Sequence, residues 1–234
     1  GCDSIIILDL LVTPNIEISY SVSNVDCYGN STGAIDLQII AGSPSYTFNW
    51  SNNAITEDKS YSGLQLKEIR PVMKLIIRGK KREFLSAIGK SLNLLLPTEA
   101  NTSSSSDKLT ALWLSPDEWM IFSNETLNFE NNDYEIENLL NKNISKTNVG
   151  AVTDVTDQFV LISIKGDKIF DLFETGSPFN FNDFRNKKGS VTQTILAKID
   201  VIIHNQNQNE VNLFVRRSFS QHLFSWMNDS ASRL

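Results

Sequence analysis

The chain has little of what most active sites are built from. Among 234 residues there are two cysteines and two histidines. No Cys-x-x-Cys pair occurs, and His204 and His222 lie far in sequence from Cys2 and Cys27, which argues against a zinc site. Spacing does not fix the separation of Cys2 and Cys27, so a disulfide and two free buried thiols both stay open. Long apolar runs are missing as well. The longest covers residues 5–12, is broken by Asp9, and falls far short of the ~20 residues that span a bilayer. No Lys or Arg precedes it and the chain opens on Gly1 rather than Met, so it does not read as a signal peptide, and the missing Met suggests a fragment. Basic residues are almost absent from the first 65 positions. Lys59 stands there against seven acids (Asp3, Asp9, Glu17, Asp26, Asp36, Glu57 and Asp58), so this stretch carries the whole net charge of −6. The remainder balances twenty bases with twenty acids. Two populations of sequence share one chain. A pI near 5.0 gives no reason to expect nucleic acid as a partner. What is present, 41% hydrophobic and 21% charged residues, is ordinary for a globular protein, with length for one large domain or two small ones.

The acidic front stretch reads as β-structure. Gly33, Gly42, Pro44 and Gly63 punctuate it. Alternation over residues 34–39 puts Ile35, Leu37 and Ile39 on one strand face. Alternation over 46–50 does the same for Tyr46, Phe48 and Trp50, with a turn at 41–45 making the two strands neighbours. Three stretches (Cys27-Tyr28-Gly29-Asn30, Thr32-Gly33-Ala34-Ile35 and residues 42–51, Gly-Ser-Pro-Ser-Tyr-Thr-Phe-Asn-Trp-Ser) resemble the SprB-type repeat of bacterial surface adhesins. In that family a last strand follows a Ser-Gly-Leu turn, here Ser62-Gly63-Leu64. The Gly-x-Tyr strand and terminal Gly-Cys expected next are absent. The resemblance therefore implies an incomplete β-sandwich-like repeat over residues 1–65.

From Arg70 the pattern changes. An apolar strand over 72–79 enters an amphipathic helix bearing Phe84, Leu85, Ile88 and Leu92. A Ser-rich loop over 101–107 is too polar to pack. A hairpin follows, strands 111–114 and 119–122 around a Ser115-Pro116-Asp117-Glu118 turn, then a short helix over 134–140. The same order recurs. A strand over 159–166 enters a helix with Ile169, Phe170, Leu172 and Phe173; strands over 191–204 and 211–215 follow, turning at 205–209. A closing helix carries Phe219, Leu223, Phe224 and Trp226. Each first strand ends in a basic residue and a glycine, Arg78-Gly79 and Lys165-Gly166, suited to a tight strand-to-helix turn. The reading is an α+β domain with a duplicated β-α-β-β-α unit, plus a bridging strand over 151–155.

No catalytic constellation emerges from this domain. Gly89-Lys90-Ser91 lacks the glycine five residues earlier and falls inside a predicted helix, so it is no phosphate loop. There is no Gly-x-Ser-x-Gly elbow. His204 at a strand end and His222 on a helix read as core or surface histidines. Asp154 and Asp157 are paired carboxylates or, more simply, short acids capping a turn. Arg216 and Arg217 can clamp a carboxylate or an acidic partner, though in a strand the two point to opposite faces. Trp113 and Trp119 read as core.

Six stretches resemble the gamma subunit of heterotetrameric sarcosine oxidase: 70–75 (Arg-Pro-Val-Met-Lys-Leu), 94–97 (Leu-Leu-Leu-Pro), 111–119 (Ala-Leu-Trp-Leu-Ser-Pro-Asp-Glu-Trp), 152–157 (Val-Thr-Asp-Val-Thr-Asp), 193–198 (Gln-Thr-Ile-Leu-Ala-Lys) and 214–219 (Phe-Val-Arg-Arg-Ser-Phe). The resemblance covers residues 66–234. It implies the fold of the folate-binding domain of glycine-cleavage aminomethyltransferase, and a cytoplasmic complex that demethylates sarcosine oxidatively to glycine and passes the one-carbon unit to tetrahydrofolate. It further implies FAD, FMN and NAD in the larger subunits, none bound by this chain alone, and docking on alpha, beta and delta subunits, chiefly alpha. No family catalytic residue maps onto the sequence. Arg216, Arg217, Asp154 and Gln193 stand as candidate interaction residues. Two alternatives differ in class: a cell-surface adhesion module and a stand-alone folate-dependent aminomethyltransferase-like protein. The adhesin pattern stops where the oxidase pattern starts, between Gly63 and Arg70, with no Gly/Ser/Pro-rich linker. The chain thus reads as a chimeric or artificial join of an extracellular and a cytoplasmic pattern, with a native fusion as the alternative.

Overall fold

The computed structural model describes residues 17–23, 34–41, 58–69, 71–80, 82–125 and 135–234. The chain divides into two units, Gly1–Ser51 and Asn52–Leu234.

In the first unit, β1 (Glu17–Ser23) pairs antiparallel with β2 (Ala34–Ala41). The register sets Ile18 against Ile39 and Tyr20 against Leu37. Ile18, Leu37 and Ile39 are half-buried, whereas Asp36, Gln38 and Ile40 are exposed, which is the period-2 alternation expected of β2. The strand expected over 46–50, its turn at 41–45, Cys2 and Cys27 lie outside the described residues, apart from Ala41.

The second unit begins with β3 (Lys59–Tyr61) and β4 (Leu64–Glu68), joined by the Ser62-Gly63 turn. Its first half continues through β5 (Lys74–Arg78), α1 (Arg82–Leu92), β6 (Ser103–Ser105), β7 (Leu109–Ser115), β8 (Glu118–Ser123) and α2 (Glu135–Leu140). A π-helical turn (Asn141–Ser145) leads to β9 (Ala151–Asp154). The second half runs β10 (Phe159–Lys165), α3 (Ile169–Glu174), β11 (Val191–Leu196), β12 (Ile199–Asn207), β13 (Glu210–Arg216) and α4 (Arg217–Ala231). Two antiparallel sheets result, one ordered β6-β7-β8-β5-β9 and the other β11-β12-β13-β10-β4-β3.

Strand alternation divides the core into three apolar layers. Leu112, Leu114, Met120 and Phe122 of one sheet meet Leu161, Ile202 and Phe214 of the other, so the sheets pack face to face. Phe122 and Phe214 meet edge to face with centroids 5.1 Å apart. On the outer face of the five-stranded sheet, Leu75, Ile77 and Ile121 pack with Phe84 and Ile88 of α1 and Leu140 of α2. On the outer face of the six-stranded sheet, Ile162, Ile164, Leu213 and Val215 pack with Ile169, Phe170, Leu172 and Phe173 of α3 and with Leu223, Phe224 and Met227 of α4. Each fully buried Phe or Leu contributes about 1.5–3 kcal/mol. The order is helix, sheet, sheet, helix. It is the duplicated α+β arrangement expected from the sequence.

The halves interlock. β4 precedes β5 in the chain but pairs with β10; β9 precedes β10 but pairs with β5. The two crossings match bond for bond. Ile69 N–H donates to Leu161 O at 2.9 Å, and Val155 N–H donates to Lys74 O at 2.9 Å. Gly166 closes the β10–α3 turn at φ +131°, where an added Cβ would strike the backbone of Gly63. At Gly79 the constraint is different: a Cβ there would overlap the Phe84 ring.

Several sequence expectations need correction. The boundary at residue 65 falls inside β4, whose Leu64 and Leu66 are buried in the core of the second unit. Accordingly Ser62-Gly63-Leu64 turns within that unit, not within the adhesin-like stretch. The Ser-rich loop contains β6, which pairs with β7; the hydroxyls of Ser105 and Thr110 bond at 3.0 Å, and those of Ser103 and Ser104 donate to the carbonyls of Gly189 and Leu95. The long strand expected over 191–204 is two strands. They are joined by Ala197 and Lys198 at φ +51° and +68°, a two-residue hairpin loop made without Gly or Asn.

Candidate functional site

Two buried polar side chains of the second unit, Lys74 and His204, each gather a cluster of polar groups. The first lies at the strand crossing. Alternation along β5 sends Leu75 and Ile77 to the helix side and Lys74 toward the opposite sheet, at the position matching Leu161 in the other half. Lys74 is 2% exposed. Its Nζ donates to Val72 O at 2.9 Å and to Thr156 O at 3.1 Å. Burial, then the positive charge of Arg217, lowers its pKa to about 8; Asp157, Asp154 and Glu68 oppose the shift. Arg217, the first residue of α4, donates from Nε to Asp157 O at 2.9 Å and lies 3.7 Å from the exposed Asp157 carboxylate. Asp154 Oδ1 accepts from Thr156 N–H at 2.7 Å, which is the turn-capping role.

The second cluster ties the sheets together at the β6–β12 side. His204 on β12 is 3% exposed. Ser103 Oγ donates to Gly189 O at 2.8 Å, so the 2.9 Å contact between Ser103 and His204 Nε2 has the imidazole as donor. Gln206 Nε2 lies 2.9 Å from Nδ1 and donates to it. Both ring nitrogens are satisfied by the neutral form, and burial pushes the pKa down to about 4. A base that activates serine needs its lone pair on the hydroxyl hydrogen. Here the hydroxyl hydrogen faces Gly189, so the pair holds the sheets together rather than activating a nucleophile. An open groove of about 610 Å³ runs beside it, lined by Leu95, Glu99, Lys187, Lys188 and Ser190.

Of the acid and base candidates, Arg217 and Asp157 pair with each other, and both, with Asp154, act electrostatically on Lys74. Arg216 is set apart and exposed at the end of β13. Gln193 lies elsewhere on β11, where its Nε2 donates to Leu114 O at 2.7 Å and links the two sheets. His222 is exposed on α4. Trp119 is core, with its indole N–H on Pro97 O at 2.8 Å; Trp113 is half-buried. Gly89 to Ser91 lie within α1. Lys74 is not among the residues that sequence pattern singles out. Its signal was a lone cation at an inward position of an apolar strand. Among the described residues no three His, Cys, Asp or Glu side chains cluster as a metal site, and no helix is long and apolar enough to cross a membrane.

The family model described as sarcosine oxidase, gamma subunit family, matches residues 79–233. The chain belongs to the sarcosine oxidase gamma subunit family. The SprB repeat matches residues 19–55. That match ends before β3, in keeping with the assignment of β3 and β4 to the second unit. Among solved structures, the heterotetrameric sarcosine oxidase from Corynebacterium sp. U-96 contains a similar chain. Identity is 19% over 73% of this chain and 84% of that one, with a TM-score of 0.64, which shows the shared fold. The glycine cleavage system aminomethyltransferase T from Bartonella henselae aligns at 15% identity over 70% of this chain and 45% of that one, with a TM-score of 0.47. No curated protein matches the sequence.

Proposed function

We propose that residues 52–234 act as a non-catalytic gamma-type subunit of a heterotetrameric sarcosine oxidase, docked chiefly on the alpha subunit. The observation that carries the reading is the family match over residues 79–233. The use of the buried polar groups supports it. Lys74 is held on carbonyl oxygens, His204 is a neutral hydrogen-bonded tie, and Gln193 bridges the sheets. On this reading the complex demethylates sarcosine oxidatively to glycine. FAD, FMN, NAD and tetrahydrofolate belong to the other subunits, and the assembly is cytoplasmic. Co-expression with alpha, beta and delta subunits tests it. The chain should co-purify in stoichiometric amount; failure to do so at micromolar concentration would overturn the reading. Saturable binding of tetrahydrofolate by the isolated chain would favour the aminomethyltransferase-like alternative.

The SprB match favours a second reading for the first unit alone, that of an extracellular adhesion module. The two units then belong to different compartments, and we read the chain as a chimera. Sequencing across the codons for Ser51 to Asp58 checks this: an uninterrupted natural gene would argue for a native fusion.

A further inference from the structure

The two sheets are related by the internal duplication, yet among the described residues one has six strands and the other five. The equivalence can be followed residue by residue. Arg78-Gly79 matches Lys165-Gly166, so Ala151, opposite Arg78, matches Gln65, opposite Lys165. It follows that Val152 matches Leu66 and Asp154 matches Glu68. The matched bonds from Ile69 and Val155 fix the same phase.

In an antiparallel ladder, the backbone groups of alternate residues point to opposite neighbours. Ile69 bonds toward β10, so Leu66 and Leu64 turn the other way, where they face Lys59 and Tyr61 of β3. Val155 bonds toward β5, so Val152 and Asp154 turn outward. Among the described residues nothing pairs with them there. In the filled half, β3 is supplied by a hairpin. In the other half the chain reaches β9 from a π-helical turn and Asn148 at φ +56°, and among the described residues no hairpin strand is provided. The far edge of the six-stranded sheet is engaged differently. There the outward N–H of Val191 bonds Asn101 O at 2.8 Å.

We infer that the free edge of β9 takes an extended segment of a larger oxidase subunit as the sixth strand of that sheet. This rests on the gamma-subunit reading above and names the docking element within it. Strand addition uses main-chain hydrogen bonds for affinity and alternate side chains for selection. The filled half gives the shape of the occupant. Tyr61 of β3 packs on the helix side of its sheet, and its hydroxyl donates to Asn228 Oδ1 of α4 at 3.3 Å. Tyr61 faces Leu64, which matches Gly150, so the partner segment places an apolar or aromatic side chain opposite Gly150, next to Val152, which already packs on that side. Across β3 and β4, Lys67 pairs with Asp58 at 3.3 Å. On β9 the exposed charge is the Asp154 carboxylate, so the complementary residue on the partner is Lys or Arg.

The test uses the full chain co-expressed with alpha, beta and delta subunits. Val152→Pro removes an outward donor and no bond to β5, a strand setting in which proline is tolerated. The variant alone should melt close to wild type but lose about tenfold in recovered complex. Amide exchange at Val152 and Asp154 in the wild-type complex should slow by about tenfold or more relative to the isolated chain, and this measurement decides the matter even if the variant does not fold. Equal recovery of a folded Val152→Pro chain, or unchanged exchange at both amides in a complex that does form, overturns the edge assignment and leaves the gamma-subunit reading standing. Failure of the wild-type chain to assemble overturns that reading, and the edge assignment with it.

Discussion

Part of this fold's sensitivity to acid should come from one side chain. His204 is 3% exposed and both its ring nitrogens are engaged, so the folded chain keeps it neutral down to about pH 4. In the unfolded chain the same ring takes a proton near its ordinary value of 6.5. Between those two values the unfolded state binds more protons, so stability falls as pH falls through that window. The slope is at most ~1.4 kcal/mol per pH unit, and the loss between about pH 7 and about pH 4.5 is roughly 2–3 kcal/mol. Below about pH 4 the folded ring protonates too and the contribution levels off. Carboxylates also contribute to acid sensitivity, so the comparison is with His204→Gln, which cannot titrate. Urea unfolding of both proteins at the two pH values isolates the histidine part as a difference of differences. Wild type should lose roughly 2–3 kcal/mol more than the variant over that interval. Equal losses, or an imidazole proton resonance that titrates above pH 6, would falsify the account. Protonation at Nδ1 also requires the Gln206 amide to turn its oxygen toward the ring, because its NH₂ now points there.

Three further outcomes are expected. Lys74 has a folded pKa of about 8 against 10.5, so the unfolded chain holds the extra proton between those values and stability from this group rises with pH through that window. Lys74→Leu, which copies Leu161 of the other half, should abolish the rise in urea titrations at alkaline pH; an unchanged alkaline profile would count against it. Replacing Ala197 by Asn and Lys198 by Gly relieves two left-handed L-residues and should raise stability by about 1 kcal/mol, read from the urea midpoint. A chain starting at residue 67 loses Leu64 and most of β4 and should be destabilised by roughly 3–6 kcal/mol relative to one starting at residue 52, since two buried leucines are exposed or removed. Limited proteolysis should accordingly leave a core that begins before Asp58, not near residue 66.

The duplicated order was legible because both first strands end in a basic residue and glycine, and because Phe84, Ile88 and the apolar run of α3 hold helical spacing. What misled was local chemistry overridden by tertiary structure. Ala197 and Lys198 carry no turn signature, yet the flanking strands force them to positive φ. Ser103 to Ser105 have the composition of a loop, yet they have a strand to pair with in β7. The strand exchange was invisible because sequence order suggests that β4 serves the half it precedes. Of the candidate residues, Asp154 and Arg217 both flank the crossing and both act electrostatically on Lys74. Gln193 was singled out through the family resemblance, and its link between sheets depends on a face-to-face packing that no local pattern reports.

The crossed placement of β4 and β9 bears on how such a molecule could arise. A lone half would carry a leading strand with nowhere to dock at home, along with a sheet missing its own neighbour at that position. Two identical copies would repair both defects at once by each lending its strand to the other, as in a domain-swapped pair. On that view the present chain is a homodimer whose subunits became fused end to end.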